Sequence, residues 1–158
     1  LHKIFGMYGE VTNARTLAAA IVKGRANNKI NTVEELKQAI KHLAPRGKEN
    51  KYYAQVFQAL RIDVNDELKA LEEMLEQSAE VLKPGGRLVV MSYHSLEDRL
   101  VKNFIGKGLF HGEPEKDVYG SYTKPFEALN RKPIEASDEE VEENKRARSA
   151  KLRIAIKL

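Results

Sequence analysis

The run Val81-Leu82-Lys83-Pro84-Gly85-Gly86-Arg87-Leu88-Val89-Val90-Met91-Ser92-Tyr93-His94-Ser95-Leu96-Glu97-Asp98-Arg99 constrains the fold more than any other part of the chain. Pro84 cannot continue a helix, Gly85 and Gly86 permit a tight turn, and Leu88 to Met91 is apolar without polar alternation. Such a run reads as a strand covered on both faces, the pattern of an α/β sheet. Ser92, Tyr93, His94 and Ser95 then fall at the strand's carboxyl end, where open α/β sheets bind ligands. A helix follows through Leu96, Leu100, Val101, Phe104 and Ile105, with Ser95 as the expected cap and Glu97 and Asp98 in the first turn, where the macrodipole favours acids.

The amino-terminal third is helical by pattern. Ala14, Leu17, Ala18, Ile21 and Val22 recur at helical spacing, and Gly24 is the expected end. Thr32 and Glu35 form a capping box for a short helix through Val33, Leu36, Ile40 and Leu43 that stops before Pro45. Beyond the turn at Pro45 to Asn50, the residues Phe57, Leu60, Val64, Leu68, Leu71 and Leu75 follow by threes and fours and predict one long helix from about Lys51 to Leu82. After the central strand and helix, residues 106–123 read as a loop, and Phe126 to Ile134 is a weak strand broken by Pro133. Ser137 and Glu140 cap a short helix whose acids lead and whose Lys145, Arg146 and Arg148 trail. Leu152, Ile154, Ile156 and Leu158 alternate as a last strand with one face more covered than the other.

Composition narrows the class further. The 158 residues, 42% of them hydrophobic, suit one medium domain or a small domain with part of another. No apolar run reaches membrane-spanning length and no signal peptide is recognisable, so a cytoplasmic protein without a membrane partner is expected. The absence of cysteine excludes disulfides and thiolate metal sites. A net charge of +4 is compatible with an RNA partner and equally with an ordinary basic surface.

Three segments carry a resemblance: Phe57-Gln-Ala-Leu-Arg-Ile-Asp-Val-Asn-Asp-Glu-Leu68, then Leu82-Lys-Pro-Gly-Gly-Arg-Leu-Val-Val-Met-Ser-Tyr-His-Ser-Leu-Glu-Asp-Arg99 with the following Leu-Val-Lys, then Asn144-Lys-Arg-Ala-Arg-Ser-Ala-Lys-Leu-Arg153. A weaker fourth is Tyr8-Gly9-Glu10 with Ala20-Ile21-Val22. In this order they resemble the carboxyl-terminal part of the RsmH (MraW) family, which methylates the exocyclic N4 of a cytidine in bacterial small-subunit (16S) ribosomal RNA. The resemblance implies the carboxyl-terminal part of a class I (Rossmann-like) methyltransferase sheet, about three strands with the last antiparallel, plus part of a helical insertion. Residues 1–50 would be the remainder of that insertion, which recognises substrate, and residues 51–158 the end of the methyltransferase domain.

The family holds S-adenosylmethionine with a glycine-rich loop after its first strand, which is not found here. The cluster Gly106-Lys-Gly108-Leu-Phe-His-Gly112 follows a helix, so it does not read as a nucleotide loop. The cofactor site is therefore expected upstream, with no cofactor-binding residue in this chain, and the isolated chain is expected to be inactive. A strand left at an edge would favour a homodimer.

Each candidate residue has a plainer alternative. His94 and Ser92 are the candidate catalytic residues, touching the base or the cofactor's methionine end, and both also suit packing or capping. Glu97 and Asp98 beside His94 look like metal ligands only superficially, because the dipole already explains them, and no metal is expected. Gln58, Arg61 and Asn65 share one helical face and are assigned to substrate through the resemblance, against plain interhelical hydrogen bonding. Lys145, Arg146 and Arg148 are assigned to RNA phosphate, against simple macrodipole stabilisation. The expected partner is small-subunit ribosomal RNA or the 30S subunit. The rival from another class is a non-enzymatic RNA-binding module.

Overall fold

The computed structural model describes residues 1–158 and divides them into two compact units, Leu1–Glu67 and Leu68–Leu158. The first is helical: α1 (His2–Met7), α2 (Ala14–Asn27), α3 (Val33–Ile40) continued by a 3-10 turn (Lys41–Leu43), and α4 (Glu49–Val64). Phe5, Leu17, Ile40, Val56 and Ala59 are at the centre of its core. Tyr52 is buried with them, and its hydroxyl donates to Asn13 Oδ1 at 3.0 Å. Thr32 and Glu35 close the expected capping box of α3. The α2 helix runs past Gly24 to Asn27, since a single glycine weakens a helix by only about 1 kcal/mol and does not end it. Because α4 packs into this core, the unit extends past residue 50 to Glu67.

The expected long helix is two helices, α4 and α5 (Glu67–Val81). Asp66 between them has φ +50°, a left-handed conformation that no continuous right-handed helix contains. The buried stripe also differs from the expected one. In α4 it is Tyr52, Val56, Ala59 and Ile62, while Phe57 and Leu60 are half-buried and Val64 is 78% exposed. Small Ala59 and amphipathic Tyr52 lie inside, whereas Phe57, Leu60 and Val64, which set the apparent periodicity in α4, lie at the margin or outside.

The second unit is α/β. Its strands are β1 (Arg87–Ser92), β2 (Phe126–Ala128), β3 (Ile134–Glu135) and β4 (Lys151–Lys157). All pair with β4 and all are antiparallel to it, in the order β1-β4-β2 with β3 also on β4. Thus β1 is an edge strand with the terminal strand beside it. Four short strands replace the expected three, because Pro133 divides the weak segment into β2 and β3. Helices α5 and α6 (Ser95–Lys107) supply Leu75, Val101, Phe104 and Ile105 to a core with Leu88, Val90, Phe126 and Ala155.

Only one face of β1 is covered. Leu88, Val90 and Ser92 are buried and Val89 and Met91 more than half exposed, so its apolar run reflects two apolar faces of which this chain covers one. On β4 the covered face is that of Arg153 and Ala155, the reverse of the expected face of Leu152, Ile154 and Ile156, which are half-buried. The register explains it: Ala155 lies opposite Leu88 and Arg153 opposite Val90, both on the covered side. The α7 helix (Asp138–Glu143) is capped by Ser137 as expected, but it ends before the basic residues.

Candidate functional site at the carboxyl end of β1

At the end of β1 the chain turns into α6 through a reciprocal cap. His94, not Ser95, is the N-cap: its Nδ1 accepts the Glu97 backbone N–H at 3.3 Å. In return Glu97 Oε2 accepts the backbone N–H groups of Tyr93 at 2.8 Å and His94 at 3.3 Å. A histidine with Glu three residues on satisfies the same donors as the usual Ser or Thr box, and the capping alternative given for His94 is the contact it makes. Burial pushes the Glu97 carboxyl up, but the imidazole beside it and the two N–H groups outweigh this and hold it below the usual carboxylate range.

The cap occupies one ring nitrogen of His94, Nδ1, and leaves Nε2 as the other polar atom of the ring. That atom is buried, lies 3.3 Å from Glu97 Oε1 without the alignment of a hydrogen bond, and has no other partner. Ser92 is buried on the covered face of β1, and its hydroxyl makes one long contact, 3.4 Å, to the Lys151 carbonyl.

Sequence reasoning missed the strongest polar contact of the unit. Arg153 of β4 meets Asp98 of α6 with Nε at 2.7 Å from Oδ1 and Nη2 at 3.0 Å from Oδ2, a bidentate pair whose side chains are 9% and 13% exposed. Asp98 reads from sequence as a dipole acid and Arg153 as the polar half of an alternating strand. The fork-to-carboxylate match instead ties the first turn of α6 to the covered face of the sheet.

The other candidates are placed as follows. Gln58 Nε2 donates to the Tyr8 carbonyl at 3.0 Å. Arg61 binds Glu67 with Nε at 2.8 Å from Oε1 and Nη2 at 3.0 Å from Oε2, and Asn65 donates to Glu67 Oε1 at 3.2 Å. All three polar groups are thus engaged within the helical unit, with Asn65 at the C-cap of α4 rather than inside it. Lys145, Arg146 and Arg148 are exposed, make no ion pair, and lie beyond α7 in a turn and a 3-10 segment (Ala147–Ser149). The α7 macrodipole, ending at Glu143, therefore does not account for them as expected. No grouping of His, Asp and Glu is able to hold a metal ion, and no helix is long and apolar enough to cross a membrane.

The second unit, a small antiparallel sheet with helices and a capped polar turn at the end of β1, is of the α/β class. More particularly, the chain belongs to the MraW methylase family, which it matches over residues 1–158. It is 64% identical over 155 residues to the ribosomal RNA small subunit methyltransferase H of Cytophaga hutchinsonii, covering 98% of this chain and 52% of that protein. The proteins of the same name from Christiangramia forsetii and Parabacteroides distasonis are 55% and 54% identical over 158 residues, again across all of this chain and 52% of theirs. The chain thus spans about half the length of the curated relatives it matches.

Proposed function

We propose that this chain is the carboxyl-terminal part of an enzyme that methylates the exocyclic N4 of a cytidine in the 16S RNA of the bacterial small subunit, acting on that RNA or on the 30S subunit in the cytoplasm. The observation that supports this most is the family match over every residue, in which the capped turn at His94 is continuous with β1. The methyl donor that the family implies is S-adenosylmethionine, which supplies an electrophilic methyl group. The residues of this chain do not fit it: Gly85 and Gly86 precede β1 and Gly108 ends α6, so no glycine turn leads from a strand into a helix.

What the chain contributes is placement. The amino nitrogen of cytosine is a weak nucleophile because its lone pair is delocalised into the ring, so holding it in line is worth more than proton transfer. The His94–Glu97 cap and the Asp98–Arg153 pair make the β1 to α6 turn a rigid wall for a base drawn out of its stack. His94 is then a positioning residue, and Ser92 is buried on the covered face of the strand that leads to it. Lys145, Arg146 and Arg148, unpaired and exposed, suit phosphate. Gln58, Arg61 and Asn65 would shape the substrate side through the contacts that they already make.

The test has two parts. Joined to a cofactor-binding half like that of the relatives, the chain transfers a methyl group to N4 of a 16S cytidine; by itself it shows no saturable S-adenosylmethionine affinity in isothermal titration. A micromolar dissociation constant for the chain alone would overturn the placement of the cofactor site outside these residues.

A further inference from the structure

On the α6 side of the second unit, a half-open cleft of about 330 Å³ is walled by Lys102, Lys107, Tyr122, Arg131, Arg153 and Ile154. Its volume is at the small end of ligand sites, roughly 300 to 1,000 Å³, which suits one nucleotide rather than a folded segment. No carboxylate lines it. Two of the four cations are neutralised from behind, Arg153 by Asp98 and Lys107 by Glu113. Lys102 and Arg131 are exposed and have no ion pair, so the mouth carries two uncompensated positive charges.

The interior has a different character. Ile105 is buried, Ile154 is half-buried, and the Tyr122 hydroxyl donates to the Gly106 carbonyl at 2.9 Å, which fixes an aromatic ring against α6. A peptide adding as a strand finds no free backbone, since Asn130 Oδ1 already takes the Ile154 N–H at 2.9 Å and the Leu129 N–H donates to the Ile154 carbonyl at 2.9 Å. Recognition must therefore come from side chains. A fixed ring and apolar floor behind two free cations match a base with its phosphate.

We propose that this cleft binds one unpaired nucleotide of single-stranded RNA, its base against Tyr122 and Ile154 and its phosphates at Lys102 and Arg131. The proposal rests on the reading of the protein as acting on RNA, and it assigns a contact that includes none of His94, Arg146 and Arg148.

The experiment is fluorescence anisotropy on the 158-residue chain with a short labelled single-stranded oligoribonucleotide at several salt concentrations. The variant Lys102→Ala/Arg131→Ala is expected to lose at least about tenfold in affinity and to flatten the logarithmic salt slope by about 1.4, twice the roughly 0.7 that each neutralised single-strand phosphate adds. The control Lys83→Ala/Arg87→Ala, with the same charge loss at exposed positions of the same unit, should leave affinity within about twofold. Equal losses in both variants, or no loss in the first, would overturn the cleft while leaving the RNA reading intact. No binding by the unaltered chain would overturn the cleft together with the chain's own part in RNA binding. A second arm uses cytidine monophosphate: if it binds with the Lys102 and Arg131 dependence and the oligoribonucleotide does not, the cleft serves a free nucleotide and the RNA assignment is wrong.

Discussion

Asp98 occupies the first turn of a helix, where an acid is already favourable, yet a guanidinium 55 residues away in the chain comes to meet it. The two effects differ in size. A first-turn acid gains about 0.3–1 kcal/mol from the macrodipole, whereas removing one partner of a buried pair costs about 3–5 kcal/mol. Asp98→Ala is therefore expected to lower unfolding free energy in urea by about 3–5 kcal/mol, and Asp98→Leu/Arg153→Met to restore most of it. A loss of only about 1 kcal/mol for Asp98→Ala would leave the dipole as the whole account. Neither residue was legible as a pair, because a charged residue in an alternating strand reads as solvent-facing. Leu152 and Ile154 gave the opposite face until the pairing with Leu88 and Val90 was known.

At the scale of elements, the caps of α3 and α7 are legible in the sequence, whereas the cap of α6 falls on His94 rather than Ser95 and the break between α4 and α5 leaves no sequence signal. Thr32 with Glu35 and Ser137 with Glu140 announce their helices directly, and Pro84-Gly85-Gly86 marks the entry to β1. By contrast, Asn65 and Asp66 are ordinary polar residues, and only the left-handed backbone at Asp66 divides α4 from α5. Two glycines carry opposite expectations. A Cβ on Gly9 would lie 2.7 Å from the Gln55 carbonyl oxygen and 3.0 Å from that of Phe5, so α4 passes too close to α1 for any side chain there. Gly106, inside α6, has nothing within 4 Å of such a Cβ. Gly9→Ala should cost about 1–3 kcal/mol by overpacking and Gly106→Ala should gain about 0.5–1 kcal/mol of helix stability. Thermal unfolding of the two variants reads both signs, and a neutral Gly9→Ala would mean that α4 yields. The close approach also gives the Tyr8-Gly9-Glu10 motif a physical reason.

For the molecule as a whole, the α/β class was legible in the helix end at Pro84-Gly85-Gly86 and the apolar run after it, whereas the place of β1 beside the terminal strand came only through the family resemblance. How much of the sheet is covered was not legible, because an apolar run does not say which of its faces this chain packs. Val89 and Met91 are exposed beside half-buried Leu152, Ile154 and Ile156, and β1 leaves one row of backbone groups unpaired. We expect the chain to associate as a two-fold dimer through this edge. Light scattering over a range of concentrations checks it: the mass should rise towards twice the monomer, and a concentration-independent monomer would refute the pairing.

The sheet's dependence on β4 also sets a timetable. Each helix of the first unit forms from neighbouring residues, but β1 gains its only ladder partner across a sequence separation of 59, from Ser92 to Lys151, and β2 and β3 have no other partner at all. Closing so long a loop before any ladder bond compensates for it slows the search, and topologies rich in such contacts fold orders of magnitude more slowly than local helical ones. The two halves of this chain should thus acquire structure at different speeds. The helical unit is expected to form first, leaving the apolar surface of β1 open to other chains until its partner strand arrives.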